Sequence, residues 1–346
     1  MRVPKSASPS TPSARATRSR ARAARTVTAG LVLLGIAGYV AYHHLTGVRS
    51  GRHPACTVTT AAGSLTLEPQ QAANASTIAA VATSRGLPER ALTIALATSM
   101  QESALRNLDH GDRDSVGLFQ QRPSQGWGTA EQIMDPVYAS NEFFDGLVKI
   151  RGYSRLPLTE AAQKVQKSGF PLAYAKHEGD AALLAGALTG RHPGALNCVT
   201  AVAPAAAVTP AAGEVPGGDP AKVRARLLRE FGSHVAPRIT GTSAGAGDEA
   251  ARDAKNGAEN GAEGGRPDRR TVSVPSAAAG DKGRGDALRR GWAVAHWAVA
   301  HADELKVEKV SFGDREWSAK ASDRGWTTLS GAARTAAGDV GITVAQ

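Results

Sequence analysis

The stretch "PERALTIALATSMQESAL", from Pro88 to Leu105, sets the expectation for the fold. Pro88 opens it, and Leu92, Ala95, Leu96, Ser99 and the aliphatic part of Met100 recur at helical spacing. Working outward, the same period continues. Thr129 can cap a helix over "AEQIM", and Asp135 with Pro136 restarts one that carries Phe143, Phe144, Leu147 and Ile150. Thr159 caps "EAAQKVQKS", which stops at Gly169, and "DAALLAGALTG" ends at Gly190. No alternating run in this region is long enough for a sheet. The expectation is therefore a mainly α fold, with an α-helical domain and long loops.

Two cysteines, Cys56 and Cys198, frame that domain and set its limits at 56–198. In an exported chain such a pair reads as a disulfide, and no second cysteine or histidine stands at metal-ligand spacing from either of them. Beyond Cys198 comes "AVAPAAAVTPAAGEVPGGDP", which is too rich in Ala, Pro and Gly to bury a core. One short helix over 219–236, capped by Asp219 with Pro220 at its first position, interrupts this segment. The rest of 199–285 is Gly-rich and charge-mixed, and reads as a disordered linker. Residues 286–346 form a small α+β module. In its repeat "WAVAHWAVAH", a spacing of five sets His296 and His301 apart around a helix, so they are not a metal pair. Leu288, Trp292, Ala295 and Val299 make the stripe that faces a core. "KVSF", Gly313 with Asp314, and "REWS" read as a hairpin, "ITVA" adds a strand, and Trp317 and Trp326 read as core side chains.

The net charge of +10 invites a nucleic-acid reading, but its distribution argues against one. Arg2, Lys5, Arg15, Arg18, Arg20, Arg22 and Arg25 carry seven of those charges with no acid among them, which leaves only +3 for the remainder. Residues 1–25 read as a disordered basic tail, and the uncharged run within 26–45, "VTAGLVLLGIAGYVAY", as a transmembrane anchor. The positive-inside rule then puts the N-terminus in the cytoplasm and all that follows outside. A cleaved signal peptide is the alternative, in which case the protein is secreted; no Ala-x-Ala site follows the run. A regulator that binds DNA through the tail alone ranks last.

The chemistry concentrates in "MQESALRNLDHGDRDSVGLFQQRPSQGWG", Met100 to Gly128. Glu102 falls near the C-terminal end of its helix, where the last carbonyls and apolar neighbours disfavour an ionised carboxylate. That is the condition a general acid needs. Gly117, Leu118, Phe119 and Gln120 break a polar loop with an apolar pair and end in an amide that both donates and accepts. Trp127 offers an amphipathic face for a sugar, or a core side chain.

Together, "QES" at 101–103 and "GLFQ" at 117–120, preceded by an apolar helix, resemble the catalytic core of lytic transglycosylases and goose-type lysozymes, and the stretch Ala162 to Ala175 resembles actinobacterial cell-wall proteins. The resemblance implies a lysozyme-like α-helical fold that cleaves the bond between N-acetylmuramic acid and N-acetylglucosamine in peptidoglycan. By it Glu102 is the proton donor, Ser103 helps orient it, and Gln120 lines the sugar cleft with the Gly117–Leu118–Phe119 run. The family's Ala-Tyr-Asn motif appears as "LAYAKHE", so Tyr174 matches its tyrosine while the asparagine is missing. Asp114 and Ser115 replace the usual Gly-Ala. Asp109, Asp112 and Asp114 could activate water and make the enzyme a hydrolase, or form a solvated loop; one such loop is weak ground for calcium. No cofactor or metal is implied. The partners expected are peptidoglycan glycan strands, the cell membrane through a single span, and an envelope protein through 286–346; nucleic acid is not among them. The missing asparagine leaves a second reading, an inactive cleft in a wall-binding or assembly component.

Overall fold

A computed structural model describes residues 54–169, 172–200, 217–240, 269–277, 283–329 and 338–346. The basic start, the apolar run of 26–45 and much of 199–285 lie outside these residues. The described part, from Pro54 onward, is one compact unit. Among the described residues, no helix is long and apolar enough to cross a membrane.

The expectation of a mainly α fold is corrected. Helices share the described residues with two antiparallel sheets, and the fold is α+β. The first sheet has three strands in the order β2-β1-β3, formed by β1 (Ala55–Thr60), β2 (Gly63–Leu67) and β3 (Leu196–Val199). Cys56 faces Cys198 across β1 and β3, and the two form a disulfide that spans 142 residues of sequence. In "ACTVTT" Cys56 and Val58 are buried and alternate with threonines, the period of a half-buried strand. These strands are only four to six residues long and lie outside the helical run from Pro88 to Gly190, where no alternation occurs.

The second sheet has six strands in the order β4-β5-β9-β6-β7-β8. They are β4 (Arg238–Ile239), β5 (Thr271–Pro275), β6 (Val307–Phe312), β7 (Arg315–Ser318), β8 (Thr327–Thr328) and β9 (Asp339–Val344). β6 and β7 form the expected hairpin around Gly313 and Asp314. Two strands, β4 and β5, come from the segment read as linker, and Val272 and Val274 of β5 are fully buried.

Helix α1 (Pro69–Ser84) is buried on most of its length, through Ala72, Ala75, Ile78, Ala79 and Val81 among others. Its small side chains let three helices approach it: α4 (Pro136–Val148), α7 (Pro220–Phe231) and α8 (Arg284–Ala300). Between α1 and α4 in sequence lie α2 (Glu89–Ser103) and the single turn α3 (Ala130–Ile133), followed later by α5 (Leu158–Gln166) and α6 (Glu178–Leu188). The turn α9 (Ala302–Leu305) follows α8. Thr129 caps α3 with a reciprocal bond from Gln132, and Asp135 caps α4 by accepting from Val137 N at 3.0 Å. Asp219 accepts from Ala221 N at the start of α7. By contrast α5 begins at Leu158, with Pro157 ahead of it, and ends at Gln166 rather than Gly169.

The C-terminal elements are docked on helix α6 and strand β3 of 56–198. His296 hydrogen-bonds Ala187 O, Trp326 Nε1 donates to Leu196 O, and Trp317 Nε1 donates to Asn197 Oδ1. Beneath them Glu230, fully buried, accepts from Trp297 Nε1 at 2.7 Å and from Arg226 one turn earlier. Those two donors satisfy a charge that burial would otherwise penalise. Of the stripe expected on α8, Trp292, Ala295 and Val299 are buried, whereas Leu288 is 46% exposed.

Candidate functional site

Glu102 stands in the last turn of α2, and left-handed backbone ends the helix just after it. Ala104 and Leu105 both take left-handed backbone, with φ of 52° and 60°, although neither is glycine. Two amides of α1 hold this turn: Gln71 Nε2 donates to Ala104 O and Asn74 Nδ2 to Leu105 O, each at 2.8 Å. An unfavourable conformation kept in place by such bonds is the kind of backbone found at functional sites.

The carboxylate meets a tyrosine from far along the chain. Tyr174, in the 3-10 turn Ala173–His177, donates its hydroxyl to Glu102 Oε1 at 2.6 Å. Its side chain is fully buried. Burial, then the hydrogen bond and negative charge of Glu102, push the phenol well above the ordinary tyrosine range, and a hydrogen bond to Ser168 opposes this only in part. Tyr174 therefore remains a donor at any pH at which the protein would work. It occupies Oε1, so a proton on the carboxyl belongs on the other oxygen.

Ser103 turns away from the carboxylate. Its Oγ donates to Leu118 O at 2.8 Å and to Ser99 O at 3.1 Å, and Ser99 Oγ donates to the same Leu118 carbonyl at 3.0 Å. The hydroxyls thus tie the 117–120 run to the back of α2. Leu118 and Phe119 are fully buried, with Phe119 stacked on Phe143 at 4.7 Å between ring centroids. Gly117 has φ of 79°, and a Cβ there would stand 2.7 Å from the Ile133 carbonyl oxygen, so the position excludes any side chain. Gln120 completes the turn at φ 47° and folds its amide back on Gly117 O and His110 O.

These elements surround a cleft of about 570 Å³. Of the residues singled out in the sequence, Glu102, Gln120 and Trp127 line it; Ser103, Gly117, Leu118, Phe119 and Tyr174 form its supporting layer. The aspartate loop divides. Asp114 accepts from Arg122 Nε at 2.8 Å and from both the backbone and hydroxyl of Ser124, and these bonds, that of Arg122 foremost, hold its carboxyl far below the usual range. It is a brace for the loop. Asp109 pairs with His110, whose hydrogen bond lowers it, and is exposed. Asp112 lines the cleft with Glu102.

Sequence reasoning did not single out Arg113, Gln121, Gln166 and Lys167, which also line the cleft. Gln166 Nε2 donates to Phe119 O at 2.7 Å and Gln121 Nε2 to Ala139 O at 3.1 Å, so both amides brace the floor. Nothing in the spacing of Gln166 distinguished it from an ordinary exposed helix residue. Among the described residues, no group of three or more metal-ligating side chains occurs.

The family described as "VldE, C-terminal domain" matches residues 274–338. That match runs from the last two residues of β5 through α8, α9 and the hairpin, well under half of the chain, and does not reach the Glu102 cleft. No curated protein matches the chain.

Proposed function

We propose that the protein is a peptidoglycan-cleaving glycosidase of the lytic transglycosylase type, with Glu102 as acid and then base. The observation that carries this reading is the pairing of Glu102 with Tyr174 at the wall of a polar cleft. With Oε1 held by the phenol, the proton on the second oxygen passes to the glycosidic oxygen as the C1–O bond breaks. The carboxylate left behind takes the proton of the muramyl C6 hydroxyl as that oxygen attacks C1 and closes a 1,6-anhydro ring. Intramolecular attack gains from effective molarity and needs no second carboxylate. The disulfide, the basic start and the apolar run at 26–45 support an extracytoplasmic, membrane-anchored site of action.

One observation favours a hydrolytic second step instead: Asp112 lines the same cleft and could direct a water. Mass spectrometry of muropeptides released from purified peptidoglycan by the oxidised protein, beside Glu102→Gln, separates the readings. Anhydro products from the parent alone support the transglycosylase, and reducing-end products the hydrolase. No release by a folded parent that still binds the wall would overturn the enzyme and leave a binding component.

A further inference from the structure

Among the described residues, six that are not glycine have left-handed φ, and three of them line the Glu102 cleft: Arg113 at 57°, Gln120 at 47° and Lys167 at 52°. An L-residue avoids this conformation because Cβ crowds the following carbonyl, and glycine or asparagine is the usual occupant. Lys167 is the C-cap of α5, a position where glycine would relieve the strain. A basic residue does suit a helix C-terminus, but it does so equally well within the last turn, without the left-handed backbone. Strain at a cleft wall, carried twice by a cation, points to use of the cation.

The charge balance agrees. Arg122 is engaged by Asp114, and among the described residues neither Arg113 nor Lys167 forms an ion pair. Apart from Glu102 itself, Asp112 is the only acidic side chain among the described residues that line the cleft with these two cations. They come from separate segments, the loop before Gly117 and the end of α5, so one ligand in the cleft can meet both.

We propose that Arg113 and Lys167 are substrate-binding residues that select glycan strands bearing carboxylates over neutral strands of the same backbone. This rests on the reading of the cleft as a glycan site. The carboxylates can come from a peptide stem or from an acidic ether substituent on the sugar itself. Two exposed ion pairs at about threefold each give a preference of about tenfold at low salt, shrinking as salt is raised.

The test uses the oxidised full chain carrying Glu102→Gln, so that strands are bound and not cut, with calorimetry against three soluble glycan preparations. These are strands with native carboxyls, the same strands with every carboxyl amidated, and strands freed of peptide stems by an amidase. The parent should bind native strands about tenfold more tightly than amidated ones. Arg113→Gln with Lys167→Gln should reduce that ratio below about twofold, and Arg113→Lys with Lys167→Arg should keep it. Stem-free strands carry the ether carboxylate that the amidase uncovers as it cuts the amide: if they bind like native ones, the sugar's carboxylate is read as well as the stem's, and if they bind like amidated ones, only the stem's is. Equal affinity for native and amidated strands, or a preference that survives the double glutamine variant, would overturn the proposal. Binding of no strand at all would overturn the glycan reading beneath it.

Discussion

Lowering the pH should loosen the docked C-terminal elements through a single imidazole. His296 is fully buried on α8, flanked by Trp292 and Trp326 at 5.4 and 6.1 Å between ring centroids. Its Nδ1 lies 2.8 Å from Ala187 O, and a carbonyl only accepts, so Nδ1 carries the proton. Nε2 is buried with no partner, and protonating it would place a charge in an apolar layer. Burial accordingly lowers the pKa from 6.5 to about 4, against a small opposing effect of the Ala187 bond. Above pH 6.5 the folded and unfolded chains are both neutral here and the group contributes nothing. As pH falls below 6.5 the unfolded chain takes up a proton that the folded one refuses, so stability is lost until about pH 4, where the folded state protonates too. At 1.36 kcal/mol per pKa unit the total is about 3 kcal/mol, of which roughly 2.5 kcal/mol has gone by pH 4.5. Urea unfolding of the oxidised protein, followed by tryptophan fluorescence at pH 7 and pH 4.5, measures the loss. His296→Asn keeps an amide N–H within reach of Ala187 O but cannot titrate. It should be less stable at both pH values because of the lost ring volume, yet lack the extra pH-dependent loss. Equal pH slopes for parent and variant would refute the assignment of that loss to His296.

Three other outcomes are expected. Tyr174→Phe removes the 2.6 Å bond to Glu102 and, at about 1.5 to 3 kcal/mol for a bond to a charged group, should lower the initial rate of muropeptide release by about 10- to 100-fold; a rate within twofold of the parent would sink the role given to the phenol. Gly117→Ala places a Cβ against the Ile133 backbone at a left-handed position and should cost about 1 to 3 kcal/mol in urea unfolding; an unchanged midpoint would show that the loop relaxes freely. Replacing Cys56 and Cys198 with serine opens a loop of 142 residues and should cost as much as about 5 kcal/mol by chain entropy, read as a drop in thermal midpoint; no drop would mean that residual structure already restrains the unfolded chain.

Local periodicity and local chemistry were legible. The helices around Phe143 and Glu102, the Thr129 and Asp135 caps, and the Gly313–Asp314 hairpin are each encoded within about fifteen residues, so spacing alone reveals them. The sheets were not legible in the same way. β1 pairs with β3 about 140 residues later, and β5 with β9 across α8 and the hairpin; four to six residues of alternation carry little signal until the partner strand supplies their hydrogen bonds. Within the site, the motif named Glu102 and Tyr174, but the direction of Ser103 and the bracing by Gln166 depend on which loop packs behind α2.

The sequence by itself determined which residue types were at hand: a glutamate in a last helical turn, a glycine before a buried Leu-Phe pair, a tyrosine 72 residues on, and a cysteine pair that can close in an oxidising compartment. Only the tertiary structure decided how they are used. The left-handed conformations of Ala104, Leu105, Arg113 and Lys167 run against local preference, so no local pattern announces them. The amides of α1 hold Ala104 and Leu105, and the packing of the loop and of α5 around the cleft sets Arg113 and Lys167. Where long-range contacts outweigh the intrinsic preference of the chain, the physical information lies in the contacts.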